Sequence, residues 1–428
     1  MLLQFSVENF RSFKERAVLS MEASKDTVHP DHIVTMGKER LLKTAAIFGA
    51  NASGKSNLFL ALTAAILAIR QSNERQVGEL LPMIVPFKFS EETIQKPSLF
   101  EFVFLAEGKK YVYGFSATRE KIIKEYLYVY KTARASTIFE RDSTKTPEYR
   151  FTDASVRREL EPLVKRNTEN KLFLATATSW NAQVTKVPLQ WFYSKIDTYP
   201  NNYDSLIPKD VEMIEKDEGD VLKRFILHML KEADINIQNY EYESHKESVE
   251  KLFERFPAPA RFMIPPTIAN GPLKAFSIRT LHAVQENGKE EQKFWLDLKE
   301  ESQGTKSLFM LSPVLFDAFH QGKVICVDEF DVSMHPILVS FLAGVFQDPD
   351  INMANAQLIV SLHTTALMSR ELSRDDEIYF TNKDKQTGQS ELYSLSDFSY
   401  RKNRDIRKAY LLGRFGAVPD IGDGDILW

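Results

Sequence analysis

One octapeptide constrains this chain more than any other feature: Gly49-Ala50-Asn51-Ala52-Ser53-Gly54-Lys55-Ser56. A short apolar run, Ala45-Ala46-Ile47-Phe48, precedes it, and a helical pattern from Ser56 to about Gln71 comes after it. A buried strand that turns sharply into a helix leaves successive N–H groups facing the turn, where the helix N-terminus also favours negative charge. The spacing G-x-x-x-x-G-K-[ST] in that context reads as a phosphate-binding loop. Gly49, Asn51, Ala52, Ser53 and Gly54 are expected to wrap the phosphates, with Asn57 bordering the nucleotide. Lys55 is expected to reach the β and γ phosphates and assist catalysis, and Ser56 to ligate Mg²⁺. ATP and Mg²⁺ are therefore the expected cofactors.

A second strand, Val324-Ile325-Cys326-Val327, runs into Asp328-Glu329. Buried strands seldom end in adjacent acids unless a cation meets them. Asp328 is expected to hold Mg²⁺ through its water shell, and Glu329 to position and deprotonate an attacking water. Upstream, Glu301-Ser302-Gln303-Gly304-Thr305 opens a helix over about Thr305–Phe319, so Ser302 and Gly304 form a candidate anion site. His363 lies just beyond the strand Gln357–Ser361 and is a candidate γ-phosphate sensor.

Strand and helix alternate at both ends of the chain, which predicts an α/β core split by a long insertion. Residues 1–130 read as an N-terminal lobe with the phosphate loop and a set of strands. Within it Phe87, Phe89, Phe100, Phe102, Phe104, Tyr111, Tyr113 and Phe115 keep period-two spacing. Residues 131–290 read as a mostly helical insertion, with an amphipathic helix at Val221–Ala233 and a Pro-rich loop around Pro257–Pro272. Residues 291–428 form the C-terminal lobe.

The 428-residue chain carries a net charge of −4, which argues against a surface that is wholly a nucleic-acid cradle while leaving a local basic groove open. Cys326 is the sole cysteine, so no intramolecular disulfide forms and a cytoplasmic setting is expected. The longest apolar run, Leu58–Ile69, is too short for a bilayer span, so no membrane association is expected.

Together these motifs resemble the ATPase head of ABC-type proteins of the SMC, RecF and OLD kind. Asn9-Phe10-Arg11-Ser12-Phe13 is similar to the segment after the first strand in such heads. Ser302-Gln303-Gly304 resembles a shortened signature motif, lacking the first Leu and second Gly of L-S-G-G-Q. Asp331 falls at the D-loop position and His363 at the switch-histidine position. The resemblance implies a mixed sheet with a phosphate-loop core plus an antiparallel β subdomain. It further implies a homodimer enclosing ATP between the phosphate loop of one subunit and Ser302 and Gly304 of the other, with a higher oligomer open. Asn9, Arg11, Ser12 and Asp331 would lie near the nucleotide.

A closer resemblance rests on Glu301–Thr305, on Asp328-Glu329-Phe330-Asp331 with Ser333 and His335-Pro336, and on Tyr410–Pro419. These segments are similar to bacterial ATPases of the RloA and AbiL type, often encoded beside a Toprim-like nuclease, RloB. That implies an ATP-gated switch in anti-phage defence controlling a separate nuclease. The R-x₄-H motif of HEPN ribonucleases is absent; Arg224 and His228 are one residue too close. The alternative is a RecF- or SMC-like ATPase that clamps DNA. Sustained heptads are missing, and the basic run Arg401–Lys408 is the local cluster that nucleic acid could meet.

Overall fold

The computed structural model describes residues 1–130, 134–199, 206–247, 273–285, 292–399 and 405–419. The chain divides into two compact units, Met1–Asn201 with Asp317–Trp428, and Asn202–Phe316.

The first unit holds two large sheets. One is a six-stranded sheet whose centre is parallel. Its order is β11 (Ile196–Tyr199), β15 (Val324–Val327), β16 (Gln357–Ser361), β5 (Thr44–Phe48), β17 (Ile378–Lys383) and β18 (Ser390–Ser394). The four central strands are short apolar runs buried on both faces, as parallel strands covered on both sides must be. Val327 pairs with Val360, Ser361 with Ile47, and Phe380 with Phe48. In this register the residues just beyond the paired ends, Asp328, Leu362, Gly49 and Thr381, emerge along one edge.

The other sheet is antiparallel and seven-stranded: β10 (Tyr149–Arg150), β9 (Ala135–Asp142), β8 (Ile122–Tyr130), β7 (Lys109–Ala117), β6 (Ser98–Ala106), β1 (Leu2–Glu8) and β2 (Ala17–Ser20). Phe100, Phe102 and Phe104 alternate inward along β6. Phe104 stacks on Trp191 at 4.2 Å between centroids, and Phe102 meets Phe192 edge-on, both partners lying on the helix Gln183–Ser194. A two-stranded ribbon, β3 (Ile33–Met36) with β4 (Glu39–Leu42), completes this unit's strands among the described residues.

The second unit contains the amphipathic helix Val221–Glu232, close to the expected Val221–Ala233. It also holds a three-stranded antiparallel sheet of β12 (Asn239–Glu247), β13 (Leu273–Val284) and β14 (Gln292–Asp297). The helix Gln303–Gln321 begins here and crosses into the first unit.

The expectation of an α/β fold, a mixed sheet with the phosphate loop at its core plus an antiparallel β subdomain, holds. The insertion differs from its expected character. Within 131–290, β9 and β10 extend the antiparallel sheet, β11 joins the edge of the parallel one, and β12 and β13 form most of a third. The chain divides at 201 and 317 rather than at 130 and 290. Phe87 and Phe89 lie in an irregular segment, not in strands. The Pro-rich piece 257–272 and residues 401–404 of the basic run lie outside the described residues.

Candidate nucleotide site

The loop after β5 has the backbone that its sequence requires. Ala52 and Gly54 take positive φ, 62° and 119°, before the helix Lys55–Arg70 starts. Glycine is needed here for space as well as conformation. A Cβ on Gly54 would lie 2.6 Å from Ser390 Oγ, and one on Gly49 2.5 Å from the Thr381 carbonyl oxygen. Neighbouring hydroxyls hold the loop from behind. Ser53 Oγ shares a 2.6 Å hydrogen bond with Thr381 Oγ1, and Ser390 Oγ donates to the Ser53 carbonyl at 2.7 Å. Asn51 and Ala52 are exposed at the rim.

Lys55 lies across the loop, its Nζ donating to the Gly49 carbonyl at 2.6 Å and the Ala50 carbonyl at 3.3 Å. Burial pulls the ammonium's pKa down, while the carboxylates of Asp328, Glu329 and Asp331 oppose that shift. Those three acids lie just past β15, so the sheet register brings the two strand-end motifs into one electrostatic neighbourhood.

The acids are individually held. Ser361 Oγ donates to Asp328 Oδ1 at 2.6 Å and accepts from the Glu329 backbone N–H at 2.7 Å. Glu329 sits at φ 51°, a conformation that bulky residues adopt at a cost. Its Oε1 lies 3.4 Å from His363 Nε2. Asp331 is buried and accepts from the backbone N–H groups of His363 at 2.8 Å and Thr364 at 2.5 Å. It thereby fixes the turn that carries the switch-position histidine. Its other oxygen, Oδ1, has no hydrogen-bond partner among the described residues.

The N-F-R-S-F segment is split in its roles. Ser12 is buried; its Oγ accepts from Asn57 Nδ2 at 2.8 Å and its carbonyl from Ser390 N–H at 2.7 Å. Arg11 is exposed at φ 50°, its N–H donating to Val85 O at 2.8 Å. Asn9 turns elsewhere. Its amide donates to the Thr93 and Lys96 carbonyls at 2.9 Å each and accepts from Phe87 N–H at 3.1 Å. Those bonds occupy the side chain in holding the 87–97 segment, so a direct nucleotide contact is not its position here.

Ser302 and Gly304 belong to the second unit. Ser302 Oγ accepts from Thr305 N–H at 3.1 Å, as an N-cap does. The preceding Glu301 accepts from Thr280 Oγ1 at 2.5 Å and lies 2.6 Å from His282 Nε2, tying the start of this helix to β13.

The donor set fits ATP with Mg²⁺. Mg²⁺ keeps waters and takes one or two protein ligands beside phosphate oxygens. Ser56 is exposed at the helix start and Asp328 is half-buried at the strand end. Among the described residues no group of three or more His, Cys, Asp or Glu forms a protein-only cage. No helix among them is long and apolar enough to cross a membrane.

A family model described as "AAA domain, putative AbiEii toxin, Type IV TA system" matches residues 45–369, from the strand before the phosphate loop to just past His363. The chain belongs to this family. No curated protein matches it. Solved structures that match this chain include the SMC head domain from Thermotoga maritima, at 14% identity over 92% of this chain and 98% of that one, with a TM-score of 0.39. Another is the Smc head domain with an extended coiled coil bound to the C-terminal domain of ScpA from Pyrococcus furiosus, at 14% identity, 97% and 98% coverage and a TM-score of 0.42. A third is the Smc head domain with a coiled coil and joint from Pyrococcus yayanosii, at 11% identity, 96% and 99% coverage and a TM-score of 0.45.

In this AAA-family chain the structure adds residues that motif reading did not find. Ser361, Thr381 and Ser390 are all buried and all contact the phosphate loop or the acidic turn. Each is a serine or threonine within or at the end of a strand, a signal too common to single out without the pairing of the strands.

Proposed function

We propose that the chain binds and hydrolyses ATP with Mg²⁺ as an ABC-type, nucleotide-gated dimeric switch, and that it controls a separate nuclease effector in bacterial anti-phage defence. The observation that carries the ATPase reading is the strand register, which ends β5, β16 and β15 at one edge and so sets the phosphate loop, His363 and Asp328-Glu329 side by side, with Glu329 Oε1 3.4 Å from His363 Nε2.

In this reading the loop N–H groups and Lys55 bind the phosphate chain. Ser56 and Asp328 would hold Mg²⁺, which when bound supplies positive charge to the β and γ oxygens. Glu329 takes a proton from the attacking water, and His363 beside it steadies the carboxylate and faces the terminal phosphate. Asp331 sets the His363 turn, and its open Oδ1 awaits a donor from the second copy. Ser302 and Gly304 of that copy close over the triphosphate.

The family description names a putative toxin of a type IV TA system, while the defence role rests on the resemblance of Tyr410–Pro419. That segment is an ordered part of the fold: Tyr410 stacks on Phe380 at 5.4 Å and donates its hydroxyl to the Ala417 carbonyl at 3.1 Å.

The test is Glu329→Gln purified with ATP and Mg²⁺ from its native genomic context. Hydrolysis should fall roughly 10²-fold or more, as expected for loss of a general base. The mass in solution should become that of a dimer or larger, with a nuclease co-eluting. A variant that stays monomeric with ATP and hydrolyses at the wild-type rate sinks the switch. One that dimerises alone, and retains duplex DNA only with ATP, replaces the nuclease partner with a DNA clamp.

A further inference from the structure

The phosphate loop has two unlike flanks. β16 and β15 lie on one side of β5 and carry His363, Asp328 and Glu329 at their ends, which marks the terminal-phosphate side. β17 and β18 lie on the other side. There Ser390 touches Ser53 and Ser12, and Ser12 accepts from Asn57, the residue after the Mg²⁺-side serine. A nucleotide whose γ phosphate faces Glu329 must therefore run its ribose and base toward the β17–β18 turn.

That turn borders a cleft of about 550 Å³, lined among others by Lys14, Phe87, Phe89, Lys385, Gln386 and Gln389. Phe89 is its notable member: the side chain is held, yet the residue is 70% exposed. Phe87 is buried and meets its edge at 5.7 Å between centroids. Gly388, at φ 69°, lies so close that a Cβ there would sit 2.6 Å from Phe89 Cδ2. The ring rests against bare backbone at Gly388 while most of the residue stays exposed. Lys383 Nζ stands 5.7 Å from its centroid. Single exposed aromatics are common and need no explanation. A ring seated on a positive-φ glycine, in a cleft whose Gln389 directly precedes the Ser390 that bonds Ser53 of the phosphate loop, is placed to serve as a stacking platform.

We infer that this cleft receives the purine base of the bound nucleotide, with Phe89 stacking on it and the amides of Gln386 and Gln389 at its edge. The inference rests on the phosphate loop being a nucleotide site, and the test separates the two. Affinities for ATP and for inorganic tripolyphosphate, which has no base, are measured for the wild type, Phe89→Ala, Phe89→Trp and Lys55→Ala. Stacking on an aromatic is strong enough that Phe89→Ala should bind ATP about tenfold more weakly, with tripolyphosphate unchanged. Phe89→Trp should bind ATP at least as tightly as wild type, and Lys55→Ala should lose both ligands. If Phe89→Ala binds ATP as the wild type does, or loses both ligands equally, the base lies elsewhere. A wild type that binds neither ligand overturns the nucleotide reading and the base site with it. Because the side chain is mostly exposed, both Phe89 variants should melt with the wild type.

Discussion

The chemistry of this chain depends on how tightly single side chains are placed, and Ser361 shows it best. Its hydroxyl is fully buried and serves both acids, donating to Asp328 and accepting from the Glu329 N–H. Glu329 holds a positive φ there, and that N–H bond is one of the contacts fixing it. Ser361→Ala removes both bonds without touching the phosphate loop. Misplacing a general base by a fraction of an ångström lowers the rate constant while leaving ground-state binding alone. We therefore expect kcat to fall about tenfold or more and the ATP affinity to stay within about threefold. Steady-state kinetics with a separate binding titration would check this. A wild-type kcat in Ser361→Ala would mean that the strand pairing alone orients the carboxylates.

At the scale of elements, a buried amide helps stitch the two large sheets of the first unit, alongside the Tyr379 hydroxyl, which bonds Ser20 of β2. Gln357, the first residue of β16, accepts from Leu2 N–H at 2.7 Å and donates to the carbonyls of Leu2 at 3.1 Å and Leu42 at 2.9 Å. Gln357→Leu keeps the volume and strands those backbone groups. Each buried unsatisfied group costs about 1–3 kcal/mol, so a loss of about 3 kcal/mol and a clearly lower melting temperature are expected. Unchanged thermal unfolding would show that water or relaxation replaces the amide. This bond was not legible in the sequence, whereas β5, β15, β16 and the helix after β5 were. The legible elements are apolar runs with local stops. Gln357 and Ser390 act through contacts between segments more than 300 residues apart, and Ser361 through acids 33 and 32 residues before it, which no local pattern encodes. The misread elements have equally physical reasons. Phe87 and Phe89 keep strand spacing, but Pro82 and Pro86 precede them and break a ladder. Asn239–Glu247 alternates tyrosine with charge and offers little apolar period, so it did not stand out from helical surroundings.

At the scale of the whole molecule, the residues proposed to complete the site are divided between the two units, Lys55 and Glu329 in the first and Ser302 and Gly304 in the second. If the ATP sandwich is right, each active site draws its phosphate loop from one copy and its signature residues from the other, as a two-fold interface requires. Subunit mixing tests this directly. Lys55→Ala should be inactive because neither phosphate loop of its dimer works, and Ser302→Arg because neither signature does. In a mixed dimer one site carries both lesions and the other carries none. An equimolar mixture that exchanges freely forms mixed dimers half the time, each with one intact site of two. It should recover about a quarter of the wild-type ATPase rate. A mixture as inactive as its components, with exchange verified by tagged copies, would place Ser302 in the same subunit's site and remove the reason for a dimer. Recovery near one quarter would tie hydrolysis to the meeting of two copies, the event that an effector could sense.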